Sequence, residues 1–379
     1  MNACINGKGD LFEEVKRMRR HKPKAASSMD GNTEDIPGHF LSIYSGLYNE
    51  ANDEHEIDSM RRKIEDKIDD IDIREVQKVT PAVLKKAASN LKNKKNDPYF
   101  QCASEFIKNG PDILFEYLSL IIRCFLSHGH VSIYLLIATI VPIIKNKLSS
   151  PNFSKNYRSV ALSSLTLKLL DWIILVLHGD SLAVHELQFA YQMESSTTMC
   201  TWGAIETVGY FVRNGSEVFT CLMDNTKAFD KVQYSVLFTK LLQTSLPVVY
   251  TRVLLFIYVN QKANIRWNNK VTGFFKIRNG VRQGAILSGI LYCFYTTKLV
   301  EALEDNGYGC WVNGEFCGVW SYSDDTYLIA PSLEALQNMI KTCEEFADSH
   351  SLLYSTDPDP KRCKTKCIAF LKNRGIYPE

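Results

Sequence analysis

The run Trp320-Ser321-Tyr322-Ser323-Asp324-Asp325-Thr326-Tyr327-Leu328-Ile329 sets two adjacent carboxylates inside an apolar, β-prone stretch. A buried unpaired carboxylate is very costly, so the strand must break at the acids and expose them at an end or in a turn. Successive side chains on a strand point to opposite faces, and Asp324 and Asp325 can approach one site only if a turn separates two flanking strands. The pattern predicts a hairpin with the acid pair at its tip. A second stretch, Val218-Phe219-Thr220-Cys221-Leu222-Met223-Asp224, also runs to a carboxylate. Two such tips side by side would hold divalent cations. Oxygen ligands suit Mg²⁺, which keeps several waters and is bound by one or two carboxylates plus substrate phosphates. Two-metal phosphoryl transfer uses such a site. The other meaning of an Asp-Asp pair is a solvated turn, and the company the pair keeps decides between them.

Between the two acid tips lies Gly280-Val281-Arg282-Gln283-Gly284-Ala285-Ile286-Leu287-Ser288, followed by an apolar helical stretch through Leu291, Phe294 and Leu299. Glycines on both sides of Val-Arg-Gln let the backbone approach a ligand closely, and a helix start behind them favours anionic groups. Asp224-x-x-Lys227-Ala228-Phe229-Asp230-Lys231-Val232, then Gly280 to Gly284, then Tyr322-Ser323-Asp324-Asp325, in that order and spacing, resembles the palm of a reverse transcriptase. The similarity is greatest to the non-LTR (LINE-like) retrotransposon type, and the ordered triplet is far more specific than any one motif.

The resemblance continues upstream through Val141-Pro142-Ile143-Ile144-Lys145 and Asn156-Tyr157-Arg158-Ser159-Val160-Ala161-Leu162, the fingers of that family. It implies an α+β right-hand polymerase fold whose antiparallel palm sheet is backed by helices. It implies an RNA-directed DNA polymerase that joins a deoxynucleoside triphosphate (dNTP) to a primer 3′-hydroxyl, with an RNA template and a DNA primer as partners. Asp224, Asp324 and Asp325 would then be the catalytic, metal-binding residues for two Mg²⁺ ions, with Mn²⁺ able to replace them. Lys145 and Arg158 would take the triphosphate, which agrees with their permanent charge and the forked donors of arginine. Phe229 would be the bulky gate beneath the sugar; without the resemblance it reads as a core aromatic. Gln283 and Gly284 would contact the templating pair or the nucleotide, and Lys364 would be a candidate general acid for the leaving pyrophosphate.

An apolar fraction of 45% with 23% charged residues describes a globular chain with ample material for a core. A formal net charge of +2 leaves nucleic-acid contact to local asymmetry. Lys16-Arg17-Met18-Arg19-Arg20-His21-Lys22 and Lys85-Lys86 with Lys92-Asn93-Lys94-Lys95 supply it, though such runs are commonly solvated helix faces. The 11 cysteines are scattered, with no secretory signal before them and no Cys-x-x-Cys, so reduced thiols in an intracellular protein, nuclear or cytoplasmic, are expected, without structural zinc. The apolar stretch Val131 to Ile144 is interrupted by Ser132 and Pro142 and falls short of the roughly 20 residues of a membrane span. No membrane partner is expected, and the sequence does not give an oligomeric state.

Along the chain, residues 1–75 read as charged helices and linker, 76–215 as fingers with palm-proximal parts and 216–379 as palm. Too few residues follow Thr365 for the thumb of the family, so the chain is expected to be truncated before it. Thr80 is placed to cap a helix with Pro81 at its first position. Leu114, Leu118, Ile121, Ile122 and Phe125 continue a helical pattern. Ile265 to Ile277 reads as a hairpin turning at Asn268-Asn269. Ser332 would cap a helix carrying Leu333, Leu336, Met339, Ile340, Cys343 and Phe346.

Several positions depart from the family pattern: Ser323 where Ala is usual, Ser159 where Pro is, and Ala285-Ile286-Leu287-Ser288-Gly289 for Cys-Pro-Leu-Ser-Pro. Lys94-Lys95-Asn96-Asp97-Pro98 stands for Gly-Pro-Asp-Gly, and Tyr191-Gln192-Met193-Glu194 for Phe-Arg-x-Gly. None removes an expected metal ligand. Two other readings compete: a catalytically degenerate, reverse-transcriptase-like nucleic-acid-binding protein, and an acidic hairpin with a structural Ca²⁺ site. The second lacks the alternating oxygen ligands of a calcium loop.

Overall fold

In a computed structural model of the chain, residues 26, 28–31, 34–50, 54–68, 73–146, 148–282, 284–357, 359 and 363–371 are described. The basic run Lys16 to Lys22, Gln283, and Lys361 with Arg362 lie outside the described residues.

The strands are β1 (Ile137–Ile144), β2 (Tyr157–Leu162), β3 (Val218–Asp224), β4 (Lys262–Trp267), β5 (Lys270–Val271), β6 (Phe275–Lys276), β7 (Trp311–Val312), β8 (Glu315–Phe316), β9 (Val319–Tyr322), β10 (Asp325–Ala330) and β11 (Lys366–Phe370). Strands β11-β3-β10-β9 form one wholly antiparallel sheet. A second sheet runs β2-β1-β4-β5 with β6 also on β4, and within it β1 and β4 are parallel. β4 lies past residue 216, so the two larger sequence divisions share this sheet. The architecture is α+β, with an antiparallel palm-type sheet backed by helices.

Alternation along the first sheet decides what its faces do. Cys221 and Met223 of β3, with Leu328 and Ala330 of β10, enter the largest core, where Leu336, Met339 and Cys343 of the helix Leu333–Ser349 pack. The helix Leu287–Asp305 continues that core through Leu291, Tyr292 and Tyr295. Val218 and Ile329 face the other way, onto Ala204 and Val208 of the helix Thr197–Arg213. Asp224 and Asp325 have the parity of this second face, so neither belongs to the large core.

Local signals in the sequence act as expected. Thr80 Oγ1 accepts from Val83 N at 3.3 Å, and Pro81 opens the helix Pro81–Ser89. Ser332 Oγ accepts from Ala335 N at 3.1 Å. Asn268, at φ +52°, turns β4 into β5. In the helix Asp112–His128 the pattern is rotated slightly from expectation: Phe115, Ser119, Ile122 and Leu126 are buried, and Ile121 is exposed. Val131 to Ile144 becomes a 3₁₀ turn and β1, with Leu135, Leu136, Ala138 and Ile140 buried and Ile133, Tyr134 and Ile143 exposed.

The segment before residue 75 contributes more than a charged connector. Met29, Ile36, Phe40, Tyr44, Leu47 and Tyr48, mostly from the helix Ile36–Leu47, form a second core with Ala138, Ile140, Ala161, Ala263 and Ile265. No helix among the described residues is long and apolar enough to cross a membrane. Every described cysteine is a free thiol.

Candidate active site

β9 pairs with β10 so that Tyr322 stands opposite Asp325, leaving Ser323-Asp324 as a two-residue loop. Ser323 sits at φ +62°, the left-handed start that lets a short hairpin loop follow strand twist. The acids are thus at a hairpin tip, as the sequence predicts. On its other side β10 pairs with β3 in a register that sets Asp325 directly opposite Asp224. Directly opposed residues have Cβ atoms about 5 Å apart, and like charges there repel. Three carboxylates therefore crowd the shared ends of β3, β10 and the hairpin.

Electrostatics follow from this crowding. Burial pushes the Asp324 carboxyl above its ordinary range, the charge of Asp224 adds to the effect, and Arg158 opposes it. Asp325 is raised by burial and then by Asp324 and Asp224, with Lys364 pulling the other way. Lys364, just before β11, brings its ammonium to 3.2 Å from Asp224 Oδ2 and 3.4 Å from Oδ1. β11 pairs with β3, placing Lys366 opposite Leu222, and this register delivers Lys364 to the acid.

A second set of cations approaches from the other sheet. Lys145 follows β1 and donates to Lys155 O at 2.9 Å. Its pKa is depressed by partial burial and by the like charges of Lys364, Arg158 and Lys227. Arg158 is exposed on β2, opposite Ile143. Lys145, Arg158, Lys227 and Lys364 thus border the same acidic tip, an arrangement able to receive a polyanion alongside cations held by the carboxylates.

Phe229 lies in the turn after β3, half-buried, its ring stacked on Tyr292 at 4.8 Å between centroids. The glycines of the 280–284 loop each allow a close approach within the protein. At Gly280, φ is +87° and a Cβ would lie 2.7 Å from Asp230 O; at Gly284, φ is +112° and a Cβ would lie 2.8 Å from Ala161 O. The close approach is to the protein's own backbone, joining the loop to the Phe229 turn and to β2. Val281 N donates to Phe229 O, and Gly280 N to Val232 O, both at 2.7 Å.

Three positioning groups escape a reading of the sequence. Gln188, 2% exposed, accepts from Ser323 N at 2.8 Å and donates to Ser323 O at 3.2 Å, so one amide grips both backbone groups of the acidic turn. Asp171, on the helix Leu165–His178, accepts from Ile286 N at 3.2 Å and Leu287 N at 3.4 Å. It caps the helix Leu287–Asp305, which has no side-chain cap of its own, and burial raises its carboxyl to about 6 although Arg282 is near. The third is Tyr48, whose hydroxyl donates to Asp230 at 2.6 Å. Spacing signals none of these, because each partner is more than a hundred residues away.

Among the described residues, no three carboxylate, imidazole or thiol groups close on a single ion by themselves. The donor set fits a divalent cation such as magnesium: hard carboxylate oxygens in mutual repulsion, with a lysine ammonium lying against one of them. Beside Asp325, between the helix Thr197–Arg213 and the sheet, lies a largely apolar cavity of 470 Å³ bordered by Cys200, Leu222, Trp320, Tyr327 and Phe370.

Residues 144–357 match the family described as reverse transcriptase (RNA-dependent DNA polymerase). Over 151 residues, 40% of the chain, it is 25% identical to the "Retrovirus-related Pol polyprotein from type-1 retrotransposable element R2" of Nasonia vitripennis. Over 212 residues, 55% of the chain, it is 26% identical to the "Transposon TX1 uncharacterized 149 kDa protein" of Xenopus laevis. The matched segments span 14% and 16% of those proteins. Apo telomerase from Candida tropicalis, truncated from its C-terminal domain, superposes with a TM-score of 0.46 at 12% identity, over 65% of this chain and 52% of that one. The family match runs over more than half the chain and contains Lys145, Arg158, the two acid tips and the glycine loop: this protein belongs to the reverse transcriptase family, and its sequence relatives are proteins of non-LTR retrotransposons.

Proposed function

We propose that this chain is the RNA-directed DNA polymerase part of a retroelement protein, extending a DNA primer on an RNA template with dNTPs. The observation that carries the reading is the register of Asp224 against Asp325 with Asp324 in the adjoining turn, faced by Lys145, Arg158 and Lys364. Asp224, Asp324 and Asp325 would hold two Mg²⁺ ions, or Mn²⁺. When bound, such ions supply charge that favours the attacking 3′-oxygen and the departing pyrophosphate.

The chain's own groups divide the remaining work. Lys145 and Arg158 take the phosphates, and Arg158 can do so through paired donors. Phe229, braced by Tyr292, fills the space a ribose 2′-hydroxyl would need. Gly284, with Gln283 beside it in sequence, lies towards the base pair. Lys364 is placed to leave Asp224 when a cation replaces its ammonium, and to give a proton to the pyrophosphate oxygen. Residues 76–215 act as fingers and 216–379 as palm.

The test is Asp224→Asn and Asp324→Asn, each assayed for single-nucleotide addition with Mg²⁺. Losing several kcal/mol of charge stabilisation should slow addition by about a hundredfold or more. Circular dichroism should stay unchanged, since side-chain volume is kept. Retained incorporation in either variant removes that residue from the metal site.

A further inference from the structure

Tyr48 follows the helix Ile36–Leu47 in a stretch whose charge pattern reads as a connector, yet it is 3% exposed and its hydroxyl is a junction. The phenol donates to Asp230 Oδ1 at 2.6 Å and lies 3.0 Å from Ser159 Oγ. Asp230 directly follows Phe229, and Ser159 directly follows Arg158. One hydroxyl thus links the residue after the proposed sugar gate to the residue after the proposed phosphate ligand.

The surroundings make this link stiff. Asp230 is 4% exposed, and its backbone lies under Gly280, where no Cβ would fit. Asn279 Nδ2 donates to Asp230 O at 2.7 Å and to Leu47 O at 2.9 Å, so the helix end, the Phe229 turn and the glycine loop meet at one point. Tyr48 adds β2 to that meeting through Ser159. A hydrogen bond to a buried carboxylate is among the stronger ones, and it fixes distance as well as energy. The family pattern has proline where Ser159 stands, and a proline side chain could neither donate to nor accept from Tyr48.

We propose that Tyr48 is a positioning residue for the incoming nucleotide: by tying Asp230 to Ser159 it sets the separation between Phe229, beneath the sugar, and Arg158, at the phosphates. This rests on the polymerase reading above. A nucleotide is held at both ends at once, so a shift of the two anchors relative to each other weakens binding and sugar selection before it touches the chemical step.

Tyr48→Phe removes the hydroxyl and keeps the ring. It should raise the KM for dNTP about tenfold, the order expected for losing one charge-assisted hydrogen bond, with kcat changed by about twofold or less. Discrimination between deoxyribo- and ribonucleotide should fall alongside. Ser159→Ala should reproduce part of the effect, and the double variant Tyr48→Phe with Ser159→Ala should fall short of the sum. Tyr44→Phe is the control, because the Tyr44 hydroxyl, on the preceding helix, is buried with no hydrogen-bond partner among the described residues. It should match wild type in both parameters. Unchanged KM and discrimination in Tyr48→Phe would overturn the proposal. So would a uniform loss of kcat and thermal stability with those two quantities preserved, which would mark Tyr48 as packing alone. Binding of a fluorescent dNTP with Ca²⁺ in place of Mg²⁺ separates the two readings. A wild type that binds but does not extend refutes the polymerase, and Tyr48→Phe must then still bind about tenfold more weakly. A wild type that does not bind at all refutes both.

Discussion

Replacing Gly280 by alanine tests whether the glycine loop is shaped to fit the protein's own backbone. The φ of +87° is one an L side chain adopts at a cost of about 1–2 kcal/mol. The new Cβ would meet Asp230 O at 2.7 Å and the Cα and carbonyl carbon of the same residue at 2.9 Å, where ordinary contact begins near 3.4 Å. Backbone atoms cannot rotate out of the way, so the loop and the Phe229 turn must separate, and overpacking of this kind costs a further 1–3 kcal/mol or so. The sum, about 2–5 kcal/mol, corresponds to a fall in Tm of about 3–6 °C in a chain of this size. Separation also stretches the bonds from Val281 N to Phe229 O and from Gly280 N to Val232 O, so single-nucleotide addition should fall more than the loss of folded protein explains. Gly46→Ala supplies the contrast. It lies in the helix Ile36–Leu47 with nothing within 4 Å of its Cβ position, and alanine there should stabilise by about 0.5–1 kcal/mol. Melting curves of the two variants beside wild type decide the matter. A Gly280→Ala protein that melts within about 1 °C of wild type, short of the expected shift, would refute the steric reasoning.

Phe229→Ala should raise ribonucleotide use relative to deoxyribonucleotide; equal ratios of the two kcat/KM values in variant and wild type would leave Phe229 as a packing residue against Tyr292. Gln188→Leu strips both partners from the Ser323 backbone and should cost about 2 kcal/mol in stability. It should also raise the Mg²⁺ concentration for half-maximal activity, and an unchanged metal dependence would show that the turn holds its shape without the amide. Cys367 is exposed and opposes Cys221 across β11 and β3 with sulfurs 3.1 Å apart. Their shared hydrogen bond lowers the Cys367 thiol, while Cys221 is pushed up. A thiol lowered in this way carries more thiolate near neutral pH, so iodoacetamide should label Cys367 faster than exposed Cys124 at pH 7. Mass spectrometry that finds exposed Cys124 labelled first at pH 7 would contradict this.

The parts of the site legible in the sequence are those whose physics is local. Apolar strands that stop at Asp224 and Asp324 announce their own ends, because burying either acid would be costly. Thr80, Ser332 and Asn268 act on a backbone two or three residues away, so their roles survive without knowledge of the fold. Lys364 stands intermediate: the motif suggested its neighbourhood, but only the pairing of Lys366 with Leu222 sets its ammonium on Asp224. Gln188, Asp171 and Tyr48 carry no local signal, since an amide, a buried acid or a phenol becomes a clamp only when strands distant in sequence are brought beside it. The charge of residues 1–75 hid the apolar face of Ile36, Phe40, Tyr44 and Leu47, because the acidic and basic residues around the helix dominate any count over the segment. The glycines were legible as points of close approach, but only the fold shows what approaches.

Two of the departures from the family pattern are met by partners. Ser159, in place of proline, lies within hydrogen-bonding distance of Tyr48, which also holds Asp230. Gly289, in place of proline, leaves room for Tyr191, itself part of the stretch that replaces Phe-Arg-x-Gly. A Cβ at 289 would lie 2.2 to 2.5 Å from the Tyr191 ring. Restoring the family residue at 289 alone would therefore drive a side chain into that ring, and restoring it at 159 alone would strip Tyr48 of its second partner. Asp224, Asp324 and Asp325 repel one another across β3 and β10, and with Gln188 holding the turn and Lys364 on Asp224 their charges meet where a bound cation would offset the repulsion.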